Sequence, residues 1–187
     1  MRNIKNYAFF LYFPFIGLST MAISAQNNYQ EGYVVTNQND TLYGSVSDRR
    51  DGPFGGIHEK IRLKGKGLRK RFSPKRIKAY KIGNTTFRSM HLFGEMNFLK
   101  VVSEGYVNHY VFELQEQGEQ LILDIDYFQK GELGPLIRVT QGVFGLKKKR
   151  LTAFFNDCPP LVQKIRNKEF KYAFEVADFY NDWRFEQ

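Results

Sequence analysis

The sequence predicts an α+β fold, in which an antiparallel, strongly twisted sheet or partly open barrel precedes a helical C-terminal segment. Three observations support this. Short β-rich runs recur between residues 32 and 140, with turn residues between them. Their spacing, about 8 to 12 residues, is typical of a meander that curls into a barrel or roll. After Gly145 the apolar residues change to helical spacing, which ends the strand series.

Turn residues mark the hairpins. The polar stretch Asn37–Asp40, the pair Gly83-Asn84 and the stretch Ser103–Gly105 each separate two β-rich runs, as hairpin turns do. A tight turn is also expected at Gly65–Gly67, since this stretch lacks the further residues of a phosphate-binding loop. The predicted strands cover residues 32–36, 41–46, 58–64, 77–82, 85–92, 98–102, 106–114, 120–128 and 136–140.

Period-two alternation is clearest around residue 61. Ile61 and Leu63 point to one side, while Arg62 and Lys64 point to the other, which is the pattern of a half-buried strand. Ser73-Pro74 predicts a capped single turn, because serine is a good cap and proline suits a first turn.

Two or three short helices are expected at the C-terminus, packed on the sheet. Asp157 can cap a helix that begins at Pro159-Pro160. Aromatic and aliphatic residues fall at helical spacings on either side of this start. The predicted apolar positions are Leu146, Leu151, Phe154, Phe155, Leu161, Val162, Ile165, Phe170, Phe174, Ala177, Phe179, Tyr180 and Trp183.

The first 25 residues have the pattern of a secretory signal peptide. Arg2 and Lys5 precede an apolar run from residue 7 to 23, and the small Ala25 suits a cleavage site. The alternative is a membrane anchor, but a spanning helix needs about 20 apolar residues and this run is shorter. The predicted organisation is therefore a signal peptide at 1–25, a β-rich domain at 26–145 and a helical segment at 146–187.

Export limits the possible functions. Cys158 is the single cysteine, so no internal disulfide can form, and this combination favours a bacterial periplasm. Loss of Arg2 and Lys5 would lower the formal net charge from +9 to +7. Such a basic exported chain could meet anionic lipid, acidic polysaccharide or an acidic protein. Nucleic acid is not an expected partner, and no transmembrane span is expected after cleavage.

Three segments together resemble a group of uncharacterised exported proteins of Bacteroidota. They are Gly32–Thr36 with Asp40–Val46, then Phe98–Gly105, and finally Phe155–Leu161 followed by Lys164-Ile165. The resemblance spans most of the chain after the signal peptide. It implies a Gram-negative envelope, periplasmic or outer-envelope-associated, and no established activity. It supplies no catalytic residue.

The segment Lys60–Lys81 is the largest charge feature, with eleven basic residues and no acid. One interpretation is a solvated face whose lysines discourage edge-to-edge sheet pairing. The other is a contact surface for an anionic envelope component. Lys147–Arg150 is a candidate extension. Four cations are unfavourable at a helix N-terminus, which indicates either a role for these charges or a later helix start. The five best candidates for anion contact are Arg62, Lys64, Arg69, Lys70 and Arg71.

Catalytic and metal sites are weaker candidates. Cys158 could be activated at a helix N-terminus, but it needs a base, and otherwise it is a small buried apolar residue. The histidines His58, His91 and His109 have no zinc-ligand spacing. Asp124 and Asp126 share one face of a strand and could perform acid–base work, or be solvent-facing polar residues. No cofactor and no metal centre are expected.

Three hypotheses for function follow. The first is a non-catalytic envelope-associated accessory or binding protein that uses the basic strand face. The second is an envelope hydrolase that uses Asp124 with Asp126, or Cys158 with a histidine. The third is a structural subunit of an envelope assembly, with some of its abundant aromatic residues at an interface. Asp40-Thr41-Leu42 also resembles an acceptor pattern for O-linked glycans in Bacteroidota, which makes Thr41 a candidate modification site.

Overall fold

The computed structural model describes residues 29–49, 60–115, 122–140 and 145–187. These residues form one antiparallel sheet of ten strands, followed by three α-helices. The predicted signal peptide lies outside the described residues. The strands are β1 Tyr29–Thr36, β2 Thr41–Ser47, β3 Ile61–Gly65, β4 Leu68–Phe72, β5 Ile77–Ile82, β6 Thr85–Leu92, β7 Glu95–Ser103, β8 Val107–Gln115, β9 Ile122–Lys130 and β10 Ile137–Arg138. The helices are α1 Lys148–Phe154, α2 Pro159–Arg166 and α3 Ala173–Phe185.

The sheet is open, as the sequence predicts, with β10 and β4 as its two edges. Its order is β10-β9-β8-β7-β6-β5-β1-β2-β3-β4, and every neighbouring pair is antiparallel. A simple meander would pair β4 with β5, whereas here β5 pairs with β1. The short 3-10 turn Pro74–Arg76 makes this crossover and packs against β5, β6 and β7.

Two glycines allow the strands to approach closely near the middle of the first hairpin. Gly32 of β1 lies directly opposite Gly44 of β2. A Cβ atom on Gly32 would lie within van der Waals overlap of the Lys81 carbonyl oxygen, and one on Gly44 would overlap that of Lys64. Glycine inside a strand marks such close backbone approach and bending. Glycine at these two positions therefore lets β1 approach β5 closely and lets β2 approach β3 closely.

The concave face of the curled sheet holds one apolar core. Directly opposite residues on neighbouring strands share a face, and this relation places Val34, Tyr80 and Phe87 together. The Tyr80 and Phe87 rings stack at 4.6 Å, and Phe98 meets Tyr80 edge-on at 4.8 Å. The alternation predicted for β3 is confirmed, because Ile61 and Leu63 are buried in this core.

A polar bridge crosses the concave face. Arg49, just after β2, donates to Glu113 of β8 at 2.8 Å and lies over the Phe87 ring at 5.1 Å. Asp48 accepts hydrogen bonds from Arg49 at 3.3 Å and from the Tyr80 hydroxyl at 2.6 Å. Burial raises the pKa of Tyr80, so this hydroxyl remains a donor. The sheet is not closed by backbone hydrogen bonds. The Arg49–Glu113 contact links the end of β2 to β8 across the concave face.

A second core lies between the sheet and the helices. Val107 of β8 and Phe128 of β9 pack with Phe155, Leu161 and Val176 from the helical segment. Lys130, at the end of β9, donates to Asp157 at 2.6 Å and lies over the Tyr180 ring at 4.8 Å. The helices therefore pack on the sheet. In the described part of the chain, no helix combines the length and apolarity needed to cross a membrane.

Two local expectations for the helical segment were wrong, and one for a turn is confirmed in part. Asp157 does not cap α2, because Cys158 takes the cap position and the Asp157 carboxylate instead accepts from Lys130 and Tyr180. The predicted single turn at Ser73-Pro74 is present, with Ser73 at its cap position, but the Ser73 side chain makes no capping hydrogen bond. Phe174 is exposed, since α3 buries Ala173, Val176, Ala177 and Tyr180 along its apolar stripe.

Candidate anion-binding site

The predicted contact residues lie on a two-stranded ribbon at the edge of the sheet, formed by β3 and β4. The register places Arg62 opposite Arg71, and Lys64 opposite Arg69. These four side chains share the face that points away from the concave core. The fifth candidate, Lys70, lies opposite the buried Leu63 and so belongs to the other face. All five are at least partly exposed.

The ribbon concentrates like charges. Two cations directly opposite each other on neighbouring strands are destabilising, and this ribbon contains two such pairs. The ion pairs among the described residues involve Arg49, Arg88, His109, Lys130 and Lys164, and none involves the five candidates. Lys64 instead lies over the Tyr29 ring at 4.0 Å. The ribbon therefore presents cations without a described acidic partner.

A groove of about 710 Å³ lies beside β4. One wall is β4 itself, whose outer edge has no partner strand in the described sheet. The opposite wall combines the β1–β2 turn with the 3-10 turn before β5. Asn37 joins these two turns by donating to the Lys75 carbonyl oxygen at 3.0 Å. The lining residues are Thr36, Asn37, Gln38, Arg69, Lys70, Arg71, Phe72, Lys75 and Arg76.

The groove contains five cations and no acidic residue. Three of the cations belong to the predicted set, and they are brought together with Lys75 and Arg76 from the neighbouring turn. Sequence reasoning placed Lys75 and Arg76 in the basic segment but did not single them out. It also missed Asn37 and Gln38, which are more than 30 residues away in the chain. Only the crossover of β4 to β5 beside β1 brings these polar residues to the same groove.

The basic stretch Lys147–Arg150 lies elsewhere. Lys147 precedes α1, and its backbone N–H donates to the Val139 carbonyl oxygen beside β10. In the strand order β10 and β4 are the two ends of the sheet. Burial and the neighbouring Arg138 and Arg150 lower the pKa of Lys147. The structure thus gives Lys147–Arg150 no place in the groove.

Cys158 lies in the core between the sheet and the helices, with no exposed surface. Burial raises the pKa of its thiol, which disfavours the nucleophilic thiolate. Among the described residues no histidine forms a hydrogen bond with it. Its surroundings match the small buried apolar residue that was the alternative interpretation.

The two aspartates have different environments. Asp124 is exposed, whereas Asp126 is half-buried and contacts Nε2 of His109 at 2.7 Å. The opposite side of the strand is buried at Ile125 and Tyr127. His109 is 2% exposed, and Ser103, opposite it on β7, buries its hydroxyl without a hydrogen bond to the imidazole. This arrangement supplies a carboxylate–imidazole pair and no accessible nucleophile.

The remaining candidates are dispersed. His91 is exposed on β6, and His58 lies outside the described residues. The described residues contain no cluster of His, Cys, Asp or Glu suited to a metal ion. Thr41 is exposed at the start of β2, where a glycan could be attached. Tyr172 and Phe174 stack in solvent near the start of α3, with ring centroids 5.6 Å apart.

Comparisons with protein-family models, curated proteins and solved structures find no match to this chain.

Proposed function

We propose that this protein is a non-catalytic, exported accessory or binding protein of a Gram-negative envelope. Its basic ribbon would contact an anionic envelope component, with Arg62, Lys64, Arg69, Lys70 and Arg71 as the contact residues. The proposal depends on the cross-strand pairing of Arg62 with Arg71 and of Lys64 with Arg69. Such pairs oppose folding, and a bound anion would relieve their repulsion.

The edge position supports the same proposal. Lysines on an edge strand can simply prevent sheet-to-sheet pairing, and this remains the competing interpretation. Edge protection needs a few charges on the terminal strand β4. It does not need cations on β3 as well, where a carboxylate opposite each arginine would be more stable. The presence of cations on both strands therefore favours an anion-contact surface.

Binding to anionic vesicles tests the proposal. Wild-type protein, without its predicted signal peptide, is expected to co-sediment with phosphatidylglycerol vesicles at low salt and to dissociate as added salt screens the charges. Reversal of all five candidates to glutamate should abolish co-sedimentation. Because that variant keeps like charges opposite each other, its thermal stability should remain close to wild type.

A matched variant controls for net charge. Glutamate at five exposed cations of the helical segment changes the total charge equally and leaves the ribbon intact. This control should retain most of the vesicle binding. Equal loss in both variants would mean that net charge, and not the ribbon, determines binding, and it would refute the proposal. The control residues are Lys149, Arg150, Arg166, Lys168 and Lys171.

A further inference from the structure

We infer that the groove beside β4 binds a phosphorylated saccharide. This inference rests on the proposed function and specifies the ligand of the same basic region. Cations on the flat face of a ribbon can meet any anionic surface. The groove beside β4 is open to solvent, but its volume of about 710 Å³ lies within the range of small-molecule sites, about 300–1,000 Å³. A single phosphate ion would leave most of it empty.

The cations of the groove are arranged for phosphate. Arg69, Arg71 and Arg76 offer planar guanidinium groups, which can bind phosphate oxygens in pairs, and Lys70 and Lys75 add point charges. They line the groove from β4 on one side and from the 3-10 turn on the other. Phosphate groups at two ends of one ligand would therefore find cations on both walls.

The turn residues Asn37 and Gln38 supply hydrogen-bond acceptors, which the cationic side chains lack. Arginine and lysine side chains only donate hydrogen bonds, so they cannot accept one from a sugar hydroxyl. Asn37 uses its amide N–H to bond to the Lys75 carbonyl oxygen, which leaves its amide oxygen as an acceptor. Gln38 is exposed and has no hydrogen bond within the described residues. Acceptors beside a cluster of donors match a ligand that carries both phosphate and hydroxyl groups.

The groove is also held in shape before any ligand arrives. The bond from Asn37 fixes the β1–β2 turn to the 3-10 turn, and Lys78 donates to the Asn39 side chain at 2.6 Å. Phe72 is buried at its base, where it belongs to the concave core. A preorganised site loses less entropy when it binds a ligand. These contacts favour a compact soluble ligand over a flat bilayer surface.

Titration calorimetry with glucose 1,6-bisphosphate tests this inference. The double variant Lys75→Gln/Arg76→Gln removes two groove cations, and we expect it to weaken binding about tenfold. The control Arg166→Gln/Lys168→Gln removes the same charge from exposed positions of the helical segment, outside the groove lining. That control should remain within about twofold of wild type, since exposed charges contribute little to a contact they do not make.

A second variant tests recognition of the sugar. Gln38→Ala should weaken the binding of glucose 1,6-bisphosphate about threefold, as expected for one lost hydrogen bond. It should leave the binding of pyrophosphate unchanged. Equal effects on both ligands, equal effects of the two double variants, or no binding by wild type would each overturn the inference. If wild type binds phosphatidylglycerol vesicles but not the sugar bisphosphate, this inference fails and the proposed function stands. If it binds neither, both fail.

Discussion

At the residue scale, Lys130 shows how one side chain connects the sheet to the helical segment. Its ammonium group donates to the Phe154 carbonyl oxygen at 2.8 Å and to Asp157 at 2.6 Å. The rings of Phe155 and Tyr180 lie within 5.2 Å and 4.8 Å of the same nitrogen. The aspartate expected to cap α2 is thus used for a contact between layers. A cap and an ion pair need the same carboxylate oxygens, and the aromatic rings around Lys130 favour the ion pair.

Asp157→Asn tests this contact through pH. Burial opposes ionisation of Asp157, but hydrogen bonds from Lys130 and Tyr180 lower its pKa below the usual value. A depressed carboxyl pKa contributes stability above the unfolded-state pKa, and this stability is lost as pH falls through the folded-state pKa. We expect the variant to lose about 1 kcal/mol at pH 7, because the pair is partly exposed.

The pH dependence distinguishes an ion pair from a packing contact. In urea unfolding, wild-type stability should decrease as pH falls below about 4, and the difference between wild type and Asp157→Asn should shrink there. A constant difference across this range would contradict the assigned role of the ionised carboxylate. Glu169→Gln offers a control, because its contact with Lys164 is exposed and should contribute little.

At the scale of elements, the β3–β4 ribbon carries a charge pattern that folding alone would not favour. Two pairs of cations face each other across its strands. The ribbon forms despite this repulsion, because Ile61 and Leu63 of β3 are buried in the concave core. Stability is thus supplied by one face of the ribbon, and charge is presented on the other.

Arg71→Glu tests the conflict between stability and binding. The substitution places a carboxylate opposite Arg62, so we expect thermal stability to rise by up to about 1 kcal/mol. Binding to phosphatidylglycerol vesicles should decrease at the same time. Arg71→Gln, which removes the repulsion without creating a pair, should give a smaller gain. Lower stability of Arg71→Glu, with unchanged vesicle binding, would contradict the anion-contact role of this pair.

At the scale of the whole molecule, local patterns predicted most of the elements. Hairpin turns and alternation predict β1–β2 and β5–β6 closely, because both signals depend on neighbouring residues. β4 is not predicted by alternation, since Arg69, Lys70 and Arg71 are consecutive cations. It forms through its pairing with β3. The change to helical spacing after Gly145 is likewise confirmed by α1, α2 and α3.

The site was only partly predictable, for a topological reason. Composition identifies the basic segment, and alternation assigns Arg62 and Lys64 to one face. The groove, however, requires β5 to pair with β1, which brings the Asn37–Gln38 turn beside Lys75. No local signal specifies that long-range pairing. The Arg49–Glu113 contact could not be predicted from the sequence for the same reason, because its partners are 64 residues apart.

Binding to native envelope fragments tests the proposed anion contact of the ribbon without any assumption about the chemistry of the anion. Wild-type protein and the variant with Arg62, Lys64, Arg69, Lys70 and Arg71 reversed to glutamate would be sedimented with Gram-negative envelope fragments at low and high salt. We predict that wild type is retained at low salt and released at high salt, and that the variant is not retained in either condition. Equal retention of the two proteins at low salt would refute an anion-contact role for the ribbon.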